Sequence, residues 1–169
     1  GTSIIELPSN DNLDFFMNSC IFNYTHLLSG TAIEILNRIH SVLFFQTLFV
    51  DIEGDIFIDI DKSTIESPGD VKIVDCTFKR SKSSYDGAAI RISSTCAQRM
   101  FEINSCLFEN CYSKKKQGGA ISFNAIKGKI CRCKFIDNDS LKGADIFYNV
   151  DKKLKENDQF LSIEGNFFI

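Results

Sequence analysis

Apolar residues recur along this chain in short alternating runs, and one pattern returns six times. The segments are FFMNSCIF (15–22), VLFFQTLF (42–49), VKIVDCTF (71–78), FEINSCLF (101–108), GKICRCKF (128–135) and LSIEGNFF (161–168). Each ends on a phenylalanine, Phe22, Phe49, Phe78, Phe108, Phe135 and Phe168, at steps of 27, 29, 30, 27 and 33 residues. With that Phe as position +2, position 0 is Cys20, Thr47, Cys76, Cys106, Cys133 and Asn166. Position −3 is Met17, Phe44, Ile73, Ile103, Ile130 and Ile163; position −5 is Phe15, Val42, Val71, Phe101, Gly128 and Leu161. Alternation at period two marks a strand with one buried face. The phase slips by one residue around Asn18-Ser19, Val74-Asp75, Asn104-Ser105 and Glu164-Gly165. Asn, Asp and Gly tolerate a bend, so each unit is expected to hold two short strands meeting at a corner.

A third strand follows: GTAIEI (30–35), DIFIDI (55–60), GAAIRI (87–92), GGAISF (118–123) and GADIFY (143–148). Its expected inward pairs are Ile33/Ile35, Ile58/Ile60, Ile90/Ile92, Ile121/Phe123 and Ile146/Tyr148. Gly opens four of the five, where a tight turn needs positive φ or close backbone approach. Ile5 and Leu7 fit the same strand of an earlier, incomplete coil. A fixed period of this size signals a solenoid whose units bury their apolar faces only by stacking. Three strands per coil predict an all-β parallel β-helix of about six coils, roughly 24 Å high at about 4.8 Å per coil. Its interior would hold a Phe column, a mostly Cys column and an Ile column. The rival is a helix over 32–50, which β-branched and aromatic content disfavours; one helical turn is allowed near 36–41. Neither end carries a polar cap, so 1–169 reads as one β-helix segment cut from a longer repeat protein.

Two short motifs alternate with the same period. Gly118-Gly119-Ala120-Ile121 is GGAI, and Phe135-Ile136-Asp137-Asn138 is FxxN. GAAI (87–90), GTAI (30–33) and GADI (143–146) are looser copies of the first, and FNYT (22–25), FKRS (78–81) and FENC (108–111) of the second. This pairing resembles the repeats of the polymorphic membrane proteins of chlamydiae and of related surface-protein families in parasitic protists. The resemblance implies a right-handed β-helix of the pectin-lyase-like kind, exposed on a cell surface or secreted, and adhesion to a host-cell receptor or glycan. Read for structure alone, the motif residues Gly118, Gly119, Ala120, Ile121, Phe135 and Asn138 only let the chain turn tightly into a strand.

Composition narrows the function classes. The net charge is −3, which implies no broad basic surface for nucleic acid. No apolar run is long enough for a membrane span, and no signal peptide opens the chain. Seven cysteines are read as buried thiols: Cys20, Cys76, Cys106 and Cys133 in one column, and Cys96, Cys111 and Cys131 off it. In-register strands hold such thiols slightly too far apart for relaxed disulfides.

Candidate chemistry is sparse. Carboxylates at Asp51, Glu53, Asp55, Asp59 and Asp61 diverge along an extended strand, whereas calcium needs converging oxygens; Asp59 is expected to pair with Arg91 instead. His26 in a turn and His40 before a strand have no partner at a telling spacing. Ser113 to Lys116 matches SxxK only through the run Lys114-Lys115-Lys116, expected in a loop and able to contact anionic glycans. Asn23-Tyr24-Thr25 and Asn138-Asp139-Ser140 are sequons, meaningful in a secreted chain. No catalytic residue, metal site or cofactor is assigned. The expected role is a non-catalytic adhesion or binding module. A polysaccharide lyase or hydrolase of the β-helix type, and a structural spacer, are the alternatives.

Overall fold

The computed structural model describes residues 5–7, 13–26, 31–36, 39–60, 69–94, 99–149 and 160–169. These residues form a parallel β-helix with no helical segment. The first face stacks Leu13–Asn18, Ile39–Phe45, Val71–Val74, Phe101–Asn104, Lys127–Cys131 and Phe160–Glu164. The second begins with Ile21–His26, Leu48–Glu53, Thr77–Lys79, Leu107–Glu109, Lys134–Ile136 and Phe167–Phe168. The third stacks Ile5–Leu7, Ile33–Leu36, Ile56–Ile60, Ile90–Ser94, Ile121–Ala125 and Ile146–Tyr148. The stack makes about four turns, slightly fewer than the expected six.

The first corner has one construction throughout. Ser19, Gln46, Asp75, Ser105, Arg132 and Gly165, just before position 0, all have positive φ. Position 0 follows with a hydroxyl or thiol that donates to the carbonyl two residues back: Thr47 to Phe45, Cys76 to Val74, Cys106 to Asn104 and Cys133 to Cys131. A left-handed residue costs free energy without a fixed environment, and this local bond together with ladder hydrogen bonds to the next coil supplies one. The Cys column is therefore a column of small donors, which is why Thr47 fits it. In the last coil Asn166 plays the part by reaching back, accepting from Cys133 N at 2.7 Å and donating to Ile130 O at 2.9 Å.

The phenylalanine column is continuous. Rings of Phe22, Phe49, Phe78, Phe108, Phe135 and Phe168 stack at 4.8–5.1 Å between centroids, tilted by at most 14°. Phe49, Phe78, Phe108 and Phe135 are buried. Ring stacking adds to the area each ring removes from water.

The strands expected over 32–50 are present, and three details differ: one inward pair, a second bend and the helical turn allowed near 36–41. The inward pair of the second full coil is Ile56/Ile58, not Ile58/Ile60, because Ile56 registers with Ile33 and Ile90. That turn is short: Gly54 and Asp55 complete it, and Asp55 takes the place held by Ala32, Ala89 and Ala120 in other coils. The second strand also bends again, at positive-φ residues Asp51, Arg80, Asn110 and Asp137. The chain runs on from there into Lys82–Ser83, Tyr112–Gln117 and Asp139–Lys142. The helical reading of 32–50 falls to strands Ile33–Leu36, Ile39–Phe45 and Leu48–Glu53, whose ladders to neighbouring coils fix them as extended. Of the helical turn near 36–41, Leu36 and 39–41 are strand; 37–38 lie outside the described residues.

Candidate binding surfaces

The motif residues lie at the turns and in the core. Gly118 has φ +69°, and a Cβ there would lie 2.2 Å from Ile121 O. At Gly119 a Cβ would come within 1.9 Å of Ala144 O in the next coil. Both glycines therefore answer to sterics. Ala120, Ile121 and Phe135 are buried in the core. Asn138, 8 % exposed, accepts from Cys111 N at 2.8 Å and donates to Phe108 O and Asp145 Oδ1 at 3.2 and 2.8 Å. Its amide thus staples the second corner to the coil before it. With the side chain so enclosed, the Asn138 sequon is closed in the folded chain, whereas Asn23 is exposed.

The acidic run separates into pairs. Asp51 accepts two bonds from the Arg80 guanidinium at 2.6 and 2.8 Å, which hold its carboxyl below the usual range. Asp55 points inward, not outward, and pairs with Arg91 Nε at 2.6 Å. Arg91 registers with Phe57 rather than Asp59, so the expected Asp59–Arg91 pair is replaced by Asp55–Arg91. The side chain of Asp59, and all of Asp61, lie outside the described residues. Arg91 also stacks 4.7 Å over the Tyr85 ring.

Burial raises the Asp55 pKa above 3.8, and the Arg91 charge and hydrogen bond only partly oppose it. The folded state therefore holds the Asp55 proton more tightly than the unfolded chain does. Its contribution is most favourable below the unfolded pKa and is lost as pH rises through the folded one. Asp55→Asn is expected to melt higher than the parent at neutral pH, the gap closing as pH falls toward 3.8. A variant that melts lower, by a margin growing with pH, would show that the ion pair outweighs the desolvation.

The histidines sit in strands. His26 ends Ile21–His26, and His40 lies within Ile39–Phe45 rather than before it. His40 does have neighbours: its Nδ1 lies 2.8 Å from Asp14 Oδ1, which also accepts from the Ser41 hydroxyl. The hydroxyl points at the carboxylate and not at the imidazole, so the trio has no nucleophile–base pair. Those two bonds, Ser41 first, hold the Asp14 carboxyl below its usual range. Beneath them the fully buried Arg99 donates to Ile39 O and His40 O at 2.6 and 3.0 Å.

The six described cysteines are free. Cys76, Cys106, Cys111, Cys131 and Cys133 are buried, and burial pushes the Cys111 thiol up to about 12. Cys106, in mid-column, is raised by burial and by the thiols of Cys133 and Cys76. Cys106 and Cys111 are thus packing groups, whereas the bond each makes with Cys106 holds the Cys76 and Cys133 thiols below their usual range. Cys96 lies outside the described residues. Ser113 is also buried, bonded to Tyr85 O at 2.7 Å, and does not form an SxxK site with the exposed Lys116. Among the described residues no three His, Cys, Asp or Glu side chains converge to hold a metal ion. No helix among them is long and apolar enough to cross a membrane.

Two outer features remain. One is an apolar patch on the first coils: Phe16 and Ile21 are 60 and 72 % exposed, and Leu43 and Leu48 lie beside them in register. In the next coils the same positions carry Lys72 and Thr77, then Glu102 and Leu107. The other is a contrast between corners. At the first corner the strands are joined by residues 19–20, 46–47, 75–76, 105–106, 132–133 and 165–166. Between the third and first faces lie 8–12, 37–38, 61–70, 95–100, 126 and 149–159. Length is constant where the corner is hydrogen-bonded and varies freely at the opposite edge. Comparison with protein-family models, curated proteins and solved structures finds no match.

Proposed function

We propose that the chain is a non-catalytic binding module, acting in adhesion at a cell surface or after secretion, with a host-cell receptor or glycan as partner. The observation that supports this is the contrast between its corners. A scaffold with one corner of constant length and connections of variable length elsewhere is the arrangement in which recognition can change without change in the core. The exposed patch around Phe16 and Ile21 adds apolar area of the kind that marks interaction surfaces. A glycan-active enzyme would need converging acid or base groups on an outer face. The nearest approach, Asp14, His40 and Ser41, is bonded among itself.

The test is a cell-binding titration of the chain and of a variant in which 61–68 is shortened to two residues, the length of 37–38. The parent is expected to bind saturably, and the variant to keep its melting behaviour while binding more weakly. Indifference of the parent across a panel of host cells and glycans would remove the proposal.

A further inference from the structure

The lysines divide by environment. On the first and second faces Lys72, Lys79 and Lys129 lie 3.3, 2.8 and 3.3 Å from Asp70, Glu109 and Glu164, while Lys127 and Lys134, one on each face, form no ion pair among the described residues. Lys82, Lys114, Lys116 and Lys142 are exposed and form no ion pair among the described residues. The topology gathers these four. Beyond the second corner, Lys82–Ser83, Tyr112–Gln117 and Asp139–Lys142 stack in parallel, with Lys82 beside Tyr112 and Gln117 beside Lys142.

The register shifts between Ser113 and Gln117, so Lys114-Lys115-Lys116 stands opposite Leu141 alone. The lysine run is thus a bulge in a strand rather than the expected loop. A bulge bends its strand and re-aims side chains. Tyr112 and Leu141, 37 and 72 % exposed, belong to the same strip. Its acids are Glu53, in register with Lys82, Asp51, whose carboxylate the Lys82 charge also reaches, Asp139, in register with Tyr112, and Asp86, whose Oδ1 accepts from Gln117 N.

We propose that this strip, centred on Lys82, Tyr112, Lys114, Lys116 and Lys142, binds an acidic polysaccharide bearing uronate or sulfate groups. The assignment rests on the binding-module reading and names the partner class. Unpaired cations attract anions in a way that paired ones do not. The cations lie on three successive coils about 4.8 Å apart, offset along the strands because Lys82 registers with Tyr112 and Lys142 with Gln117. The Tyr112 ring offers an apolar face with a polar tip for a sugar to pack on. A net charge of −3 opposes wrapping by a duplex, which needs a broad basic surface.

The whole chain is titrated at low salt with heparin and with polygalacturonate, beside neutral dextran, duplex DNA and anionic phospholipid vesicles. Saturable binding to an acidic polysaccharide is expected, weakening as salt rises. K114E/K116E should weaken it by roughly tenfold or more, K142E should weaken it less, and K129Q should leave it unchanged, all with parental melting curves. Absence of binding to either polysaccharide, undiminished binding by K114E/K116E, or tighter binding to DNA or vesicles overturns the assignment. If cells are still bound while both polysaccharides are ignored, the strip assignment falls and the module reading stands; if cells too are ignored, both fall.

Discussion

Phe78→Ala lowers the unfolding free energy by about 3–5 kcal/mol, the range for deleting a buried aromatic ring. Phe78 is 1 % exposed and sandwiched between Phe49 and Phe108, with centroids 4.8 and 5.0 Å away. The vacancy would lie between two coils fixed by their own ladders, so the walls have little freedom to collapse into it. For a chain of this size the melting temperature should fall by on the order of 10 °C. Phe16→Ala is the matched control: Phe16 is 60 % exposed and should change stability by no more than about 0.5 kcal/mol. Urea unfolding of both variants decides the point, and equal midpoints would mean that the Phe column does not carry the core.

The second large effect lies at a glycine inside the core. Gly128 stands in the first-face column between Phe101 and Leu161, where earlier coils carry Val42 and Val71. A Cβ there would lie 2.1 Å from Phe123 Cζ. Phe123 is in turn the large member of a column that reads Ile35, Ile58 and Ile92 in the coils before it. Its ring fills the space the glycine leaves empty. Gly128→Val forces that ring aside and should cost about 1–3 kcal/mol. Phe123→Ile leaves a void and should cost about 1–2 kcal/mol, less than truncation to Ala. Together they restore the pairing of the earlier coils, so the double variant should be more stable than the sum of the singles by about 0.5–3 kcal/mol. Strict additivity would show that the two sites are independent.

What could be read from the chain beforehand follows from what repeats. The Phe column recurs with one residue type and the position 0 and first-face columns with mostly Cys and mostly apolar ones, so the two strands of the first corner, their inward faces and the parallel stack are legible. The third strand of the second full coil was framed two residues late, because Ile56, Ile58 and Ile60 alternate in a way that fits either frame. Gly54 stands two residues before Ile56 and four before Ile58, where the other coils have three, so it favours neither frame. The second bend falls at Asp51, Asn110 and Asp137, residue types that tolerate a bend, and at Arg80, which does not mark one, and no phase slip common to the apolar pattern of all coils accompanies it. Asn138 was visible as a motif residue, but its task of holding Cys111 N and Phe108 O depends on the coil before it. The same holds for Asp14 with His40 and Ser41, and for the lysine bulge. These are contacts between outward positions of neighbouring coils, which the inward pattern does not tabulate.

The fixed first corner has a mechanical meaning. Every ladder bond runs along the stack axis, and each coil is held only by the coils above and below it. A pull on the two ends of the chain therefore loads the outermost coil first and peels it away, rather than shearing the whole stack at once. Each coil that lets go returns 27 to 33 residues of slack, and the next still presents an intact Phe ring and an intact corner. Under load the molecule would lengthen in steps of similar size and dissipate work at each one, a behaviour suited to a tether that must yield without breaking.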